Sequence, residues 1–220
     1  MADEPKGLCM NTKNRIFEQT FKGYLAEIAG IDFRWIEAKL GIAAREGCAV
    51  IPLLGTDYRV SAEAITGPGG KTPPAAVCVI LCKYLLMCPA SAPRDTDWVS
   101  FRDFREATPL TASFANTVEG ALARGFAGRS ADLRQAAETL GGRLPADSYR
   151  YDVRLVIPAL PKVPLLLLFN DADADFPAAC SVLFERRAEY YLDMECLAML
   201  GMMLADYLKK FLKPDKARSV

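Results

Sequence analysis

Histidine does not occur anywhere in the 220 residues of this sequence. Its absence excludes Ser-His-Asp and Cys-His nucleophilic sites, as well as metal sites built on imidazole. It also removes the side chain whose ordinary pKa lies closest to neutral pH, and with it the most common general acid or base. Whatever chemistry this protein performs therefore cannot involve histidine.

An excess of charge of either sign is also lacking, because Lys plus Arg and Asp plus Glu both number 27. A chain with no net charge gives no electrostatic reason to expect nucleic acid or an anionic membrane as its partner. The longest apolar run, residues 75–88, is interrupted by Lys83 and is shorter than the roughly 20 residues that a membrane-spanning helix needs. The run therefore predicts a buried helix in a soluble protein.

The sequence begins without a charged-then-apolar signal segment, and its seven cysteines are an odd number. Both features favour a reducing compartment, so we expect a cytoplasmic protein with free thiols. Cys78 and Cys82 are four residues apart and share one helix face, with Cys88 near the end of that helix. A soft metal is one use of such thiols, but core packing is the expected one, and we predict no metal and no other cofactor.

Hydrophobic residues make up 51% of the sequence, which is enough for one well-buried core. Asp32 and Gly41 fit the two ends of a short helix, since aspartate accepts the first N–H groups and glycine permits a left-handed stop. Periodicity predicts helices at residues 14–29, 33–40, 112–125 and 131–140, and a hairpin of strands 48–54 and 58–61.

The last third of the chain shows the clearest pattern. Tyr151 to Leu155 alternate as a half-buried strand does, Leu165–Phe169 is an unbroken apolar run typical of a central strand, and Ala178–Phe184 returns as a third strand. Asp193 then fits the start of an amphipathic helix that runs to about Leu212, with Phe211 facing inward. The methionines of that helix are expected to fill the core: Met194, Met199, Met202 and Met203.

These elements predict one α+β domain over residues 1–220. Its antiparallel sheet includes a C-terminal three-strand meander, packed against several helices. The apolar segments 75–88, 153–169 and 194–212 should share one interior, which leaves polar loops as the places for activity.

An ordered set of short motifs resembles a prokaryotic family catalogued as domain of unknown function 3786. The motifs are Ile80–Leu86, Trp98–Arg102, Asp173–Pro177, Leu183-Phe184, Tyr191-Leu192 and Leu197–Gly201. The resemblance implies an anaerobic prokaryote, and in some members it implies an appended four-cysteine iron–sulfur domain of the kind found with corrinoid proteins of one-carbon metabolism. This sequence has no closely spaced Cys-x-x-Cys run, so we do not expect that appendage here.

Candidate ligand-binding residues are polar or aromatic side chains on predicted loops, where a cleft can form. They are Trp98, Ser100, Arg102, Asp173, Asp175 and Arg186. An aromatic ring, a hydroxyl and a guanidinium at alternating positions can grip a carboxylate or a phosphate, and the acidic turn Asp171–Asp175 can supply an acid or a base. The alternative is structural, with Arg102 or Arg186 pairing with the acidic turn.

Three functions follow from these observations. The leading hypothesis is a non-catalytic binding or accessory protein, which the resemblance connects with anaerobic corrinoid, one-carbon or iron–sulfur metabolism. The second is a small-molecule enzyme that uses Asp173 or Asp175 with Arg102. The third is a structural partner subunit. No residue is assigned a catalytic role by the sequence, and the expected partner is a protein or a small molecule.

Overall fold

In the residues that the computed structural model describes, 19–146 and 150–212, the strands form two four-stranded antiparallel sheets. The first sheet is a meander of β1 Ala43–Arg45, β2 Cys48–Leu53, β3 Thr56–Val60 and β4 Ile65–Thr66. The predicted hairpin is thus the middle of a larger sheet, and each of its strands ends one residue earlier than predicted. Leu54 does not extend β2 because it lies in the turn with φ 46°, followed by Gly55 with φ 76°.

The second sheet has the strand order β5-β8-β7-β6. Its strands are β5 Trp98–Ser100, β6 Val153–Leu160, β7 Val163–Asn170 and β8 Ala179–Glu185. The predicted three-strand meander is confirmed as β6, β7 and β8, with the apolar β7 in a central position. Pro158 lies in β6, which is an edge strand and therefore tolerates a residue without an N–H group. Strand β5 is not among the predicted strands; it pairs with β8 at the opposite edge.

Two helices precede the first sheet: α1, residues 19–28, and α2, Phe33–Leu40. Asp32 begins α2 by accepting the N–H of Arg34 at 2.9 Å, and Gly41 ends it in the left-handed conformation. The bounds of α2 are those predicted. The predicted start of α1, at residue 14, lies outside the described residues.

Two apolar helices follow, α3 Ala75–Leu86 and α7 Met194–Lys210. Asp193 begins α7 as predicted, because its carboxylate accepts the N–H of Cys196 at 2.9 Å. The helix ends two residues before the predicted Leu212. Phe211 is 45% exposed, so the expectation that it faces the core is wrong.

Polar side chains on α3 connect it to neighbouring elements. The ammonium group of Lys83 pairs with Asp193 at 3.1 Å and so joins α3 to the start of α7. The buried hydroxyl of Tyr84 donates to the carbonyl of Leu40 at 2.7 Å and accepts the N–H of Lys162 at 3.1 Å. Tyr84 therefore ties α2 to the turn between β6 and β7.

The segment between β5 and β6 is helical. It consists of α4 Thr111–Phe114, a π turn Ala115–Glu119, α5 Gly120–Phe126 and α6 Ser130–Thr139. The helices predicted at 112–125 and 131–140 correspond to it, but the π turn was not predicted. Gly120 permits that wider turn, because a Cβ atom there would lie 3.2 Å from the carbonyl oxygen of Ala115.

Buried side chains from all these elements except β1 belong to one hydrophobic cluster. The three apolar segments expected to share an interior do so, through residues such as Leu81, Leu167 and Leu200. This confirms the single-domain α+β fold. Within the described ranges, no helix combines the length and apolar character that crossing a membrane requires.

Candidate functional site

Trp98 and Arg186 lie at one end of the β5–β8 pair, where Trp98 is opposite Glu185. The guanidinium group of Arg186 pairs with the carboxylate of Asp95 at 3.7 Å, and its backbone N–H donates to the carbonyl of Asp97 at 2.8 Å. Arg186 therefore fixes the segment that precedes β5. The predicted alternative, a pair between Arg186 and the acidic turn, is wrong.

The acidic turn connects β7 to β8, and two of its carboxylates accept hydrogen bonds from backbone N–H groups. Oδ1 of Asp171 accepts the N–H of Gly128 at 2.6 Å, which attaches the turn to the segment before α6. Oδ1 of Asp173 accepts the N–H groups of Asp175 and Phe176, at 2.8 and 2.7 Å. These two bonds lower the pKa of Asp173 below its ordinary value, because they stabilise the charged form. The carboxylate of Asp173 thus has a structural role within the turn.

Asp173 and Asp175 do not share a cavity with Arg102, since the cavity that Arg102 lines has neither carboxylate in its walls. Both are exposed on the turn. Over residues 19–146 and 150–212, no group of three or more cysteine, aspartate or glutamate side chains is placed to hold a metal ion. The structure therefore separates the residues of the predicted acid–base site.

Ser100 and Arg102 are brought together at the end of β5, in a cavity of about 240 Å³ that we call the cleft. A single 3₁₀ turn, Phe101–Asp103, follows β5 there. The side chain of Ser100 accepts the N–H of Asp103, whose carboxylate accepts the N–H of Ser100 at 3.0 Å. This reciprocal pair fixes the start of the turn and places Arg102 in the wall of the cleft.

Glu119 is the second charged residue of the cleft. Its Oε1 accepts the N–H of Val182 in β8 at 3.1 Å, beyond the last residue of β5 that pairs with that strand. Burial raises the pKa of Glu119 above its ordinary value, while the Val182 N–H and the nearby Arg102 act in the opposite direction. Glu119 is the last residue of the π turn, and such turns recur at functional sites.

The remaining walls of the cleft combine hydroxyls with aromatic rings. Thr111 and Ser181 contribute hydroxyl groups, and Phe101 and Phe114 contribute rings that stack with centroids 4.4 Å apart. Sequence reasoning found Ser100 and Arg102 but missed Glu119 and Ser181. Nothing in the sequence signals those two, because only the π turn and the strand pairing bring them to the end of β5.

The cysteines of α3 are packing residues in this structure. Cys78 and Cys82 are buried, and burial raises the pKa of Cys82 to about 12, because a thiolate loses its hydration there. The thiol of Cys78 donates to the carbonyl of Pro73 at 3.5 Å, and that of Cys88 donates to the carbonyl of Pro89 at 3.9 Å. These thiols are poor nucleophiles at neutral pH.

An apolar groove of about 640 Å³ lies between the start of α3 and the second half of α7. Its principal walls are the N-cap residue Pro74 and Val77 on the side of α3, and Met199, Met202, Met203 and Tyr207 on the side of α7. The three methionines, like Met194, pack against the core but are only partly buried, so the expectation that they fill the core holds in part. They share one face of α7, because residues three and four apart lie on the same side of a helix.

Two lysines and one aspartate lie at the end of the groove nearest the C-terminus of α7. Lys209 pairs with Asp206 at 3.2 Å, and the ammonium group of Lys210 lies 4.5 Å from the ring centre of Tyr207. Because the two lysines outnumber the aspartate, this end of the groove is positively charged.

The fold is that of a single-domain α+β protein, and its surface includes the polar cleft and the apolar groove. The family model described as Domain of unknown function (DUF3786) matches residues 32–207. The chain belongs to that family, as its motifs predict. No curated protein and no solved structure matches it significantly.

Proposed function

We propose that this protein is a non-catalytic accessory protein that holds an amphipathic helix of a partner protein in the groove between α3 and α7. One observation carries the proposal: α7 is apolar on two faces. Leu200, Leu204 and Leu208 are buried in the core, while Met202 and Met203 face the groove. A surface helix normally needs one apolar stripe, and a helix that is apolar on further faces is normally covered there as well.

The dimensions of the groove suit a helix. The lining residues of α7 extend from Met199 to Lys210, which is about 17 Å at 1.5 Å per residue, or about three turns of a partner helix. Methionine side chains are unbranched and polarisable, so they adapt to the side chains of an incoming apolar face.

The positive charge at one end of the groove favours one kind of partner helix. Lys209 and Lys210 lie at one end of the groove, where they outnumber Asp206. A partner with carboxylates at that end of its helix gains attraction and orientation from these charges. The proposed partner is therefore an acidic amphipathic helix. The setting that we propose for it, on the family resemblance alone, is the cytoplasm of an anaerobe and its corrinoid, one-carbon or iron–sulfur metabolism.

The test uses two fluorescently labelled helical peptides that share one leucine face and differ only in bearing glutamate or lysine on the other positions. Fluorescence anisotropy should show that the full-length protein binds the glutamate peptide at least about tenfold more tightly than the lysine peptide. Met202→Glu should weaken that binding by about tenfold or more, because it places an unpaired charge in the apolar groove.

Met194→Glu is the matched control, since Met194 lies in the first turn of α7 and outside the groove. An acidic residue in the first turn of a helix is favourable, so this variant should fold and bind as the unaltered protein does. Failure of the glutamate peptide to bind, or equal binding by the two variants, contradicts the proposal.

A further inference from the structure

The cleft at the end of β5 is lined by two opposite charges that do not form an ion pair with each other. The positive charge of Arg102 lies close enough to Glu119 to lower the pKa of the carboxyl, yet no nitrogen–oxygen contact within 4.0 Å joins the two side chains. Both side chains line a cavity of about 240 Å³, which at about 30 Å³ per water molecule has room for roughly eight waters.

Arg102 is available to a ligand. Its side chain is 74% exposed, and its one ion pair is with its sequence neighbour Asp103, at 3.9 Å. A guanidinium group offers five N–H donors in a planar fork, so most of its donors are free to bind a carboxylate with two parallel hydrogen bonds.

One of the two carboxylate oxygens of Glu119 is available to a ligand. Oε1 is occupied by the N–H of Val182, whereas Oε2 has no hydrogen-bond donor among the residues that the structure describes. That oxygen is not sealed away from solvent either, since no buried side-chain oxygen in the same ranges is without a partner. Glu119 can therefore accept a hydrogen bond from a molecule in the cleft while it keeps its bond to β8.

We propose that the cleft binds a small carboxylate that carries a hydrogen-bond donor beside its carboxyl group. The ligand carboxylate pairs with Arg102 and the donor, an ammonium or a hydroxyl group, bonds to Oε2 of Glu119. The hydroxyls of Ser100, Thr111 and Ser181 lie in the same walls and supply further polar contacts. The stacked rings of Phe101 and Phe114 leave an apolar wall for a short side chain.

The charges of the cleft decide against a phosphate. One guanidinium and one carboxylate sum to zero, so a dianion meets no net attraction and is repelled by Glu119. A carboxylate with an ammonium group matches both charges, as in an α-amino acid, and a carboxylate with a hydroxyl group matches one charge and one acceptor, as in an α-hydroxy acid. The two ligand classes share the same binding chemistry, and the experiment separates them.

Isothermal titration calorimetry on the full-length protein tests the proposal with five probes: alanine, lactate, propionate, ethanolamine and inorganic phosphate. Alanine or lactate should bind, and whichever binds more tightly identifies the donor as ammonium or hydroxyl. Propionate lacks the hydrogen-bond donor and ethanolamine lacks the carboxylate. Each should therefore bind at least about tenfold more weakly than the tighter-binding of alanine and lactate. Phosphate should not bind. Amide chemical shifts of Ser100 and Ser181 should move with the bound probe.

Variants separate a binding role from a structural one. Glu119→Gln keeps an oxygen for the N–H of Val182 but removes the charge, so it should preserve stability and weaken alanine binding by about tenfold or more. Arg102→Ala, at an exposed position, should abolish binding of either ligand class. Arg105→Ala is the matched control, because Arg105 is an exposed arginine of the same loop that does not line the cleft.

Absence of binding by both alanine and lactate overturns the proposal, as does equal binding by Arg102→Ala and Arg105→Ala. Chemical-shift changes that avoid the end of β5 also overturn it, since they place the bound probe elsewhere. If Glu119→Gln were to fail to fold, the Arg102 and Arg105 variants decide the question by themselves.

Discussion

Substitution of Gly201 by alanine tests the packing between α7 and the helical segment that lines the cleft. Gly201 is buried in α7, and a Cβ atom there would lie 2.5 Å from Cε2 and 2.9 Å from Cζ of Phe114. That ring has little freedom to move, because it is 2% exposed and stacks on Phe101 with centroids 4.4 Å apart. It also contacts the ring of Phe184, at a centroid distance of 5.9 Å.

The expected magnitude follows from two opposing effects. Alanine in a helix interior is more favourable than glycine by about 1 kcal/mol. Overpacking of a filled core costs about 1–3 kcal/mol, and a clash with an immobile ring belongs to the upper part of that range. We therefore expect Gly201→Ala to lower the free energy of unfolding by about 1–2 kcal/mol, which for a domain of this size corresponds to roughly 2–8 °C in Tm.

Gly125→Ala is the matched control for this experiment. Gly125 lies in α5, and a Cβ atom there would meet its nearest neighbour, Cδ1 of Leu212, at 3.7 Å, an ordinary contact distance. This substitution should raise the free energy of unfolding by about 0.5–1 kcal/mol. Urea unfolding followed by circular dichroism measures both variants. A Gly201→Ala protein at least as stable as the unaltered one, or equal losses in both variants, would refute the reasoning.

Two further predictions concern the polar contacts of α3. Tyr84→Phe removes a buried hydroxyl that serves two backbone groups, so urea unfolding should show a loss of about 1–3 kcal/mol, and an unchanged midpoint contradicts the structure. Asp193→Asn keeps the cap of α7 but removes the charge that pairs with Lys83. Burial acts to raise the pKa of Asp193, yet its hydrogen bonds and Lys83 hold it below the ordinary value. Its charge therefore stabilises the fold fully at pH values above about 4, the ordinary pKa of aspartate. This stabilisation is lost as the pH falls through the lowered pKa that Asp193 has in the folded protein. The stability difference between the two proteins, about 1 kcal/mol at pH 7, should vanish in acid; a difference that is independent of pH counts against the ion pair.

Local signals in the sequence predicted much of the secondary structure. Asp32 and Gly41 fixed the ends of α2, since capping depends on the few residues beside a helix end. The unbroken apolar run of β7 predicted a central strand, because both faces of such a strand are buried. Strand β5 carries no comparable signal over its three residues, and it forms because β8 offers it an open edge.

The residues of the cleft also divide into those that the sequence identifies and those that only the fold brings there. Ser100 and Arg102 stand two residues apart, so their chemistry is visible in the sequence before the fold is known. Glu119 lies far from them in the chain and reaches them through a π turn, whose extra residue rotates later side chains by about 100° relative to a continuous α-helix.

By itself, the sequence determined that this protein cannot use histidine chemistry, and it determined where most of the helices and the longer strands lie. The absence of histidine and the balance of charge are properties of composition, and caps and apolar runs act over a few neighbouring residues. Only the tertiary structure decided that the methionine face of α7 is no more than partly covered and that Arg102 and Glu119 share one cleft. Both features depend on the angle at which distant segments pack, and that angle is set by the whole core and by no single stretch of the chain.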